Sequence, residues 1–124
     1  MKLIPVSSIL LITVIIFISG CGKNKELEKD VADIAESMCK ITGVMNKLIA
    51  ADPADSATIS RLQIEEKQCQ EEMHKRNLEF REKYKSQLND KTFRKEYSRA
   101  IRKAILNCPH LTKEDRERYE KEIE

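Results

Sequence analysis

The feature that most limits the fold of this 124-residue chain is a long apolar stripe in its first half. The stripe consists of Leu27, Val31, Ile34, Met38, Ile41, Met45 and Leu48. Its spacing alternates between four and three residues, which keeps one apolar face along a helix, whereas strand side chains alternate with a period of two. The segment is therefore predicted to be one helix that packs against other helices through this stripe, as in a coiled coil.

A turn after the stripe separates the first helix from a second one. Residues 52–56 read Asp-Pro-Ala-Asp-Ser, and the proline cannot continue a helix because it lacks a backbone N–H. Asp55 or Ser56 can cap the next helix, since both side chains accept hydrogen bonds from free N–H groups at a helix start. We predict a first helix from about Asn24 to Ala51 and a second from about Ala57 to Leu88.

Two further helices are expected in the C-terminal part of the chain. Residues 89–92, Asn-Asp-Lys-Thr, interrupt the helical pattern. A third helix should follow them to about Leu106, because Pro109 stops it. Residues 112–115, Thr-Lys-Glu-Asp, are a variant of the capping box and predict the start of a short fourth helix.

Composition indicates the same fold class. The residues that favour helices, Glu, Lys, Arg, Leu, Met and Ala, dominate the chain, and the alternation of β-branched and aromatic residues that marks strands is missing. Short connections make consecutive helices neighbours. We predict an all-α fold, an antiparallel three-helix bundle with a short C-terminal fourth helix, which forms one domain from residue 21 to residue 124.

The residues before this domain have the pattern of a secretory signal. Met1 and Lys2 form a short positive start. Apolar residues dominate from Leu3 to Ile18, and the run from Ile9 to Ile18 is broken only by Thr13. This run is shorter than the roughly 20 apolar residues that span a bilayer. Small residues come next, at positions 19 and 20, as they do near the cleavage site of a signal peptide.

Residues 18–21, Ile-Ser-Gly-Cys, resemble the lipobox of bacterial lipoproteins, which is an aliphatic residue, two small residues and a cysteine. The lipobox most often has leucine where Ile18 stands. The resemblance covers residues 1–21. It implies that the Cys21 thiol carries diacylglycerol, that the new amino terminus is often acylated, and that residues 1–20 are a cleaved signal peptide. The alternative is an uncleaved anchor in which the cysteine occurs by chance.

Lipidation implies a location in the cell envelope. In enteric lipoproteins an aspartate after the lipidated cysteine commonly signals retention in the inner membrane, and this chain has Gly22 there. For a Gram-negative host we therefore expect a lipoprotein of the outer membrane that faces the periplasm. Its expected partners are the membrane, through the Cys21 lipid, and an unidentified envelope protein.

Charge argues against nucleic-acid binding but is unevenly distributed. The chain has 23 basic and 21 acidic residues, whereas nucleic-acid binders need an excess of cations to neutralise phosphates. Residues 24–72 have a net charge of −5, and residues 75–103 have a net charge of +7. The basic segment could bind anionic lipid headgroups close to a bilayer, or the acidic first helix could neutralise the basic third helix. We favour the second interpretation.

The reactive side chains do not form a catalytic or metal-binding pattern. Cys69 and His74 are five residues apart, which separates them by about 140° around one helix, so they diverge. Cys108 and His110 could supply two zinc ligands, but a zinc site needs four, and no orienting group for a cysteine–histidine nucleophile is evident. We therefore predict no enzyme activity, no metal site and no cofactor.

Export predicts a disulfide, because Cys39, Cys69 and Cys108 would then lie in an oxidising compartment. With turns centred near residues 53 and 90, Cys39 and Cys69 come to similar levels on the first two helices, and so do Cys69 and Cys108 on the second and third. Cys39 lies at the edge of the apolar stripe, a position that suits a bridge between neighbouring helices. We predict a Cys39–Cys69 disulfide and leave Cys108 as a possible free or buried thiol.

Residues 111–116, Leu-Thr-Lys-Glu-Asp-Arg, resemble the Leu-Thr-x-x-Gln motif of the periplasmic helical stress proteins, the Spy and CpxP family. In this sequence Asp115 replaces the glutamine, and the motif occurs once, at the C-terminus. The same residues also fit a plain helix cap, which is the interpretation we adopt. We predict a non-catalytic, lipid-anchored envelope protein with a helical interaction or scaffold domain. The alternative is a chaperone-like or metal/redox stress protein of the Spy and CpxP type.

Overall fold

The computed structural model describes residues 6–123, with side chains from Lys25 onward. These residues form four helices: α1 (Val6–Ala50), α2 (Ser56–Lys83), α3 (Lys91–Ile105) and α4 (Lys113–Ile123). No strand occurs in the described part of the chain, so the predicted all-α class with four helices is confirmed. The predicted helix start near Asn24 is not a boundary, since no proline interrupts the chain between Val6 and Ala50.

Aspartate side chains cap α2 and α3. The Asp55 carboxylate accepts a hydrogen bond from the backbone N–H of Thr58 at 3.0 Å, and Asp90 accepts one from the N–H of Phe93 at 2.7 Å. Each carboxylate satisfies an N–H that has no partner within its own helix. The hydrogen bonding at Thr58 also holds the pKa of Asp55 below its ordinary value.

The predicted cap of the fourth helix is also present. The Thr112 hydroxyl accepts a hydrogen bond from the backbone N–H of Asp115 at 3.1 Å and donates one to its carboxylate at 2.9 Å. The bond from the Asp115 N–H is the side-chain cap of a capping box, whereas the Asp115 carboxylate bonds to the Thr112 hydroxyl and not to the Thr112 backbone N–H. The helix ends at Ile123.

The α1 helix packs against both α2 and α3, and α3 packs against α4. Helix α2 runs antiparallel to α1. Lys83, at the end of α2, contacts Asp30 in α1, whereas Glu72, eleven residues before Lys83, contacts Lys40, which is ten residues after Asp30. The backbones of α2 and α3 do not come together within the described residues. These two helices meet through aromatic side chains instead.

The hydrophobic core lies where the three longer helices converge. It contains Leu27, Val31, Ile34, Phe80, Tyr84 and Phe93, with Leu88, Tyr97, Ala100, Ile101 and Ala104 packed around them. The Phe80 ring is 4.6 Å from the Tyr84 ring and 5.0 Å from the Tyr97 ring, centroid to centroid, so it joins α2 to α3. The first half of the predicted apolar stripe is thus buried as expected.

A disulfide joins α1 to the segment that follows α3. Cys39 and Cys108 are bonded, with their Cα atoms 5.5 Å apart, and Cys69 is a free cysteine. The predicted Cys39–Cys69 pairing is therefore wrong, and so is the assignment of Cys108 as the free thiol. The reason is the face of α1 on which Cys39 lies: its neighbour Lys40 faces α2, and Cys39 itself is turned by about 100° from it, toward the end of α3.

Two further contacts hold the same segment on α1 within two turns of the disulfide. The imidazole ring of His110 lies over Gly43, where a Cβ atom would be only 2.8 Å from the ring. The Asn46 amide donates a hydrogen bond to the backbone carbonyl of His110 at 3.1 Å. Cys39, Gly43 and Asn46 are four and three residues apart, so they form one face of α1.

Candidate interaction surface

Beyond Ile34 the predicted apolar stripe is only partly covered by the rest of the domain. Ile41 and Leu48 are half-buried, whereas Met38 and Met45 are exposed, and so is Ile49, which lies outside the predicted stripe but on the same face. The exposed fraction is 36% for Met38, 46% for Met45 and 81% for Ile49. These residues are seven and four positions apart, so they share one face of α1. They continue the face on which Val31 and Ile34 are buried. The expectation that the stripe packs against other helices is therefore wrong at Met38 and Met45, while Ile41 and Leu48 are half-buried.

The exposure follows from the way α1 is flanked. On one side α1 faces α2 through Asp30. Ser37 and Val44 follow Asp30 at intervals of seven residues and so share its face; they are 1% and 3% exposed and lie outside the predicted stripe. On another side the segment after α3 covers Cys39 and Gly43. The stripe lies between these two sides, and only its first half is fully covered, because α2 and α3 meet there through their aromatic residues.

A groove between α2 and α3 opens beside the core. Its volume is about 380 Å³. The lining residues are His74, Asn77, Leu78, Phe80, Arg81, Leu88, Phe93, Arg94 and Tyr97. Leu78 is 52% exposed on its rim, and both arginines carry positive charge, so the groove combines an apolar floor with cationic edges.

A charged cluster fixes the register between α1 and α2. The Lys83 ammonium lies 2.6 Å from the Asp30 carboxylate and 2.7 Å from that of Glu26. The Tyr84 hydroxyl donates a hydrogen bond to the same Asp30 oxygen at 2.8 Å. Because the Asp30 carboxylate is paired with a cation and accepts a hydrogen bond from a hydroxyl, we interpret this cluster as a structural contact between α1 and α2.

The cluster shifts the pKa values of its members. Burial raises the pKa of Asp30, but the hydrogen bonds from Lys83 and Tyr84 outweigh it and hold that pKa below its ordinary value. The hydrogen bonds to Asp30 and Glu26 raise the pKa of Lys83. Burial, followed by the hydrogen bond to Asp30, raises the pKa of Tyr84 to about 12.

These shifts determine how the cluster contributes to stability at different pH values. The folded-state pKa values of Lys83 and Tyr84 lie above the unfolded ones, so their contribution is complete below about pH 10. It is lost as the pH rises through the folded-state values. The contribution of Asp30 is present above its unfolded pKa of about 4 and is lost as the pH falls through its lower folded pKa.

We expect the substitution Asp30→Asn to lower the pKa of Tyr84 from about 12 toward 10 while leaving it above that value. The reason is that the substitution removes the anion but not the burial, which is the larger cause. Titration of phenolate absorbance measures the shift, and the Tyr84→Phe variant identifies which step belongs to this residue. An unchanged alkaline titration curve in the Asp30→Asn variant would contradict the assignment.

In the described part of the chain, the basic residues of α3 form no ion pairs with the acidic residues of α1, contrary to the interpretation that we favoured from the sequence. Among residues 25–123 no ion pair within 4.0 Å joins α1 to α3. The carboxylates of α1 that form ion pairs do so within α1 or with Lys83 of α2. The α3 cation that does pair, Arg102, contacts Glu122 of α4 at 3.1 Å. Several cations of α3 thus have no carboxylate partner within 4.0 Å among residues 25–123.

The other residues singled out by sequence do not come together into a reactive site. His74 lines the groove between α2 and α3, whereas His110 lies on Gly43, and Cys69 is a partly buried free cysteine of α2. Within residues 25–123 no group of three or more His, Cys, Asp and Glu side chains could hold a metal ion.

The predicted lipidation site lies outside the described side chains. Cys21 and the predicted signal peptide of residues 1–20 precede Lys25, the first residue whose side chain the structure describes. Among residues 25–123, no helix combines the length and the apolarity that a bilayer crossing requires.

The exposed stripe of Met38, Met45 and Ile49 is the main candidate site, because it is the largest departure from the burial expected of apolar residues. Comparisons with known proteins do not add to this assignment. No protein-family model, curated protein or solved structure matches the chain.

Proposed function

We propose that this chain is a lipid-anchored protein of the cell envelope whose helices form a three-helix bundle that binds a helical segment of another envelope protein. The observation that carries the proposal is the exposure of Met38, Met45 and Ile49 on one face of α1. Their spacing of seven and four residues is that of a helix-packing seam, so the partner that fits it is an amphipathic helix.

Burial of this stripe would supply the free energy of binding. Fully burying one Ile or Met side chain contributes about 1.5–3 kcal/mol. Ile49, which is 81% exposed, has the most to gain, and it lies near the end of α1 together with Met45. The methionines add a flexible, polarisable surface that can adapt to the shape of a partner.

The binding proposal predicts position-specific crosslinking in intact cells. A photo-crosslinking amino acid at position 49 should give a discrete adduct with a partner protein. The matched control is position 64, because Ile64 is also exposed, at 61%, but lies about 200° around α2 from the buried Leu62. Adducts of equal yield at both positions would mean nonspecific contact, and an adduct of twice the chain mass would identify a second copy as the partner.

The anchor is supported by the lipobox resemblance at residues 18–21. We expect the Cys21→Ala variant to incorporate no palmitate during metabolic labelling, because the acyl chains would have no attachment point. Globomycin, which blocks lipoprotein signal cleavage, should cause a larger precursor to accumulate. Equal labelling of the Cys21→Ala variant and the parent would rule out this anchor, and fractionation with inner-membrane vesicles would rule out the proposed outer-membrane location.

A second candidate function is a chaperone-like role of the Spy and CpxP type, which the exposed methionines favour because such side chains can pack against varied apolar segments. In that case the purified protein should slow the aggregation of unfolded clients at stoichiometric amounts. The double substitution Met45→Glu with Ile49→Glu should remove this effect, whereas Ile64→Glu should not. A single discrete crosslink with no effect on aggregation favours the dedicated-partner proposal.

A further inference from the structure

Five exposed cations gather at the end of the domain formed by the α2–α3 turn. They are Lys25, Arg81, Lys91, Arg94 and Lys95. None of them has a carboxylate within 4.0 Å among residues 25–123. Three of them, in the first turn and a half of α3, point to one side of that helix because they are three, one and four residues apart.

Several acidic residues at this end already have partners, whereas Glu28 and Glu96 form no ion pair among residues 25–123. Glu26 and Asp30 contact Lys83, Glu82 contacts Lys85 at 2.6 Å, and the Asp90 carboxylate caps α3. The five unpaired cations outnumber the carboxylates here that form no ion pair, Glu28, Asp90 and Glu96, so this end keeps a small excess of positive charge. A surface of this kind attracts an extended anionic partner.

The same end of the domain lies close to the proposed lipid anchor. Glu26, one residue after Lys25, contacts Lys83 at 2.7 Å at the end of α2, which places the start of the described side chains beside the α2–α3 turn. Lys25 is four residues from Cys21, and four residues span at most about 14 Å even when fully extended. A lipid on Cys21 would hold the α2–α3 turn next to the headgroups.

We propose that the α2–α3 end of the domain rests on the membrane and binds anionic lipid headgroups through Lys25, Arg81, Lys91, Arg94 and Lys95. The inference rests on the proposed anchor at Cys21, and it adds an orientation. The basic end faces the bilayer, and the apolar stripe, about 18 residues or roughly 27 Å further along α1, points away from it. A lipid anchor alone would leave the domain free to change its orientation relative to the membrane. The second contact with the membrane would fix that orientation.

The contact is electrostatic, so it should depend on lipid charge and on salt. Each cation near an anionic surface favours binding by about fivefold, and the attraction is screened within a distance of about 8 Å at physiological ionic strength. Reversing three of the charges removes three such contributions and adds repulsion, so it should weaken the contact by a factor of at least about one hundred.

Fluorescence quenching in nanodiscs tests the orientation. A fluorophore is attached to the full-length lipidated protein at Ser86→Cys, an exposed position in the α2–α3 turn, in a Cys69→Ser background that removes the free thiol. The nanodiscs contain a quencher on the lipid headgroups, with either phosphatidylcholine alone or phosphatidylcholine mixed with phosphatidylglycerol. We expect strong quenching in the anionic nanodiscs, weak quenching in the neutral ones, and loss of the difference at high salt.

Two charge-reversal variants provide the matched comparison. The test variant combines Lys91→Glu, Arg94→Glu and Lys95→Glu. It should abolish the excess quenching in anionic nanodiscs. The control variant combines Lys47→Glu, Arg61→Glu and Lys67→Glu. It changes the net charge equally but near the opposite end of the α1–α2 pair, and it should leave the excess quenching intact. Circular dichroism shows whether both variants keep their helices, and equal loss of quenching in two folded variants would overturn the inference.

The remaining outcomes separate this inference from the anchor itself. Mass spectrometry of the same preparation shows whether Cys21 carries lipid. If it does, equal quenching in neutral and anionic nanodiscs, or no quenching in either, overturns headgroup binding and leaves the anchor standing. If Cys21 carries no lipid, the anchor is contradicted. In that case salt-sensitive quenching of the full chain by anionic vesicles would still support the basic end as a headgroup-binding surface. Absence of this quenching would overturn headgroup binding.

Discussion

Replacing Phe80 by alanine is expected to lower the free energy of unfolding by about 3–5 kcal/mol. Phe80 is 7% exposed, and its ring contacts both Tyr84 and Tyr97, so it connects α2 to α3 where their backbones do not meet. Alanine would leave a cavity at the point where three helices converge. Urea denaturation followed by circular dichroism measures the loss.

The matched control is Leu78→Ala on the same helix. Leu78 is 52% exposed, so its truncation removes few buried contacts and should change the free energy of unfolding by no more than about 1 kcal/mol. If the two variants lost similar amounts of stability, the aromatic cluster would not be the main core of the domain.

Removing the disulfide should destabilise the domain by about 4 kcal/mol. The bond joins Cys39 to Cys108 across a sequence separation of 69 residues, and a crosslink that closes a long loop restricts the unfolded chain strongly. We expect Cys39→Ser, Cys108→Ser and the double variant to unfold at similarly lowered urea concentrations, since each abolishes the same bond.

The control for this series is Cys69→Ser, which leaves the bond in place and should cause a much smaller change. Peptide mapping without reductant should recover a fragment that contains both Cys39 and Cys108. Recovery of a Cys39–Cys69 or Cys69–Cys108 fragment from the native protein would refute the pairing seen in the structure.

The sequence predicted the helices well because their signals are local. Pro53, Asp90 and Thr112 mark helix ends through their own backbone or side-chain chemistry, and the structure has helix boundaries at these places. The end of α2 was less well predicted: the helix stops at Lys83, not at about Leu88. Tyr84 and Leu88 lie in the turn after α2 but are four residues apart, as on a helix, and both pack on the core. Their spacing therefore made the helix look longer than it is.

The relations between distant segments were not predictable in the same way. The pairing of cysteines from turn positions compared only consecutive helices, but α1 also packs against α3, and this brings Cys108 to Cys39. The apolar stripe indicated one buried face, whereas α1 has neighbours on two sides. Ser37 and Val44 are therefore buried, and Met45 is exposed. Such features depend on where helices lie in space, which a periodic pattern does not encode.

The disulfide also determines what a protease can remove from the domain. The ring that it closes contains the whole of α2 and both exposed turns, at residues 52–55 and 85–87. A single cut in either turn divides the polypeptide but leaves the two pieces joined through sulfur. In an oxidising compartment a nicked molecule would therefore keep its full mass, and α3 and α4 would be released only after a reductant had opened the bond.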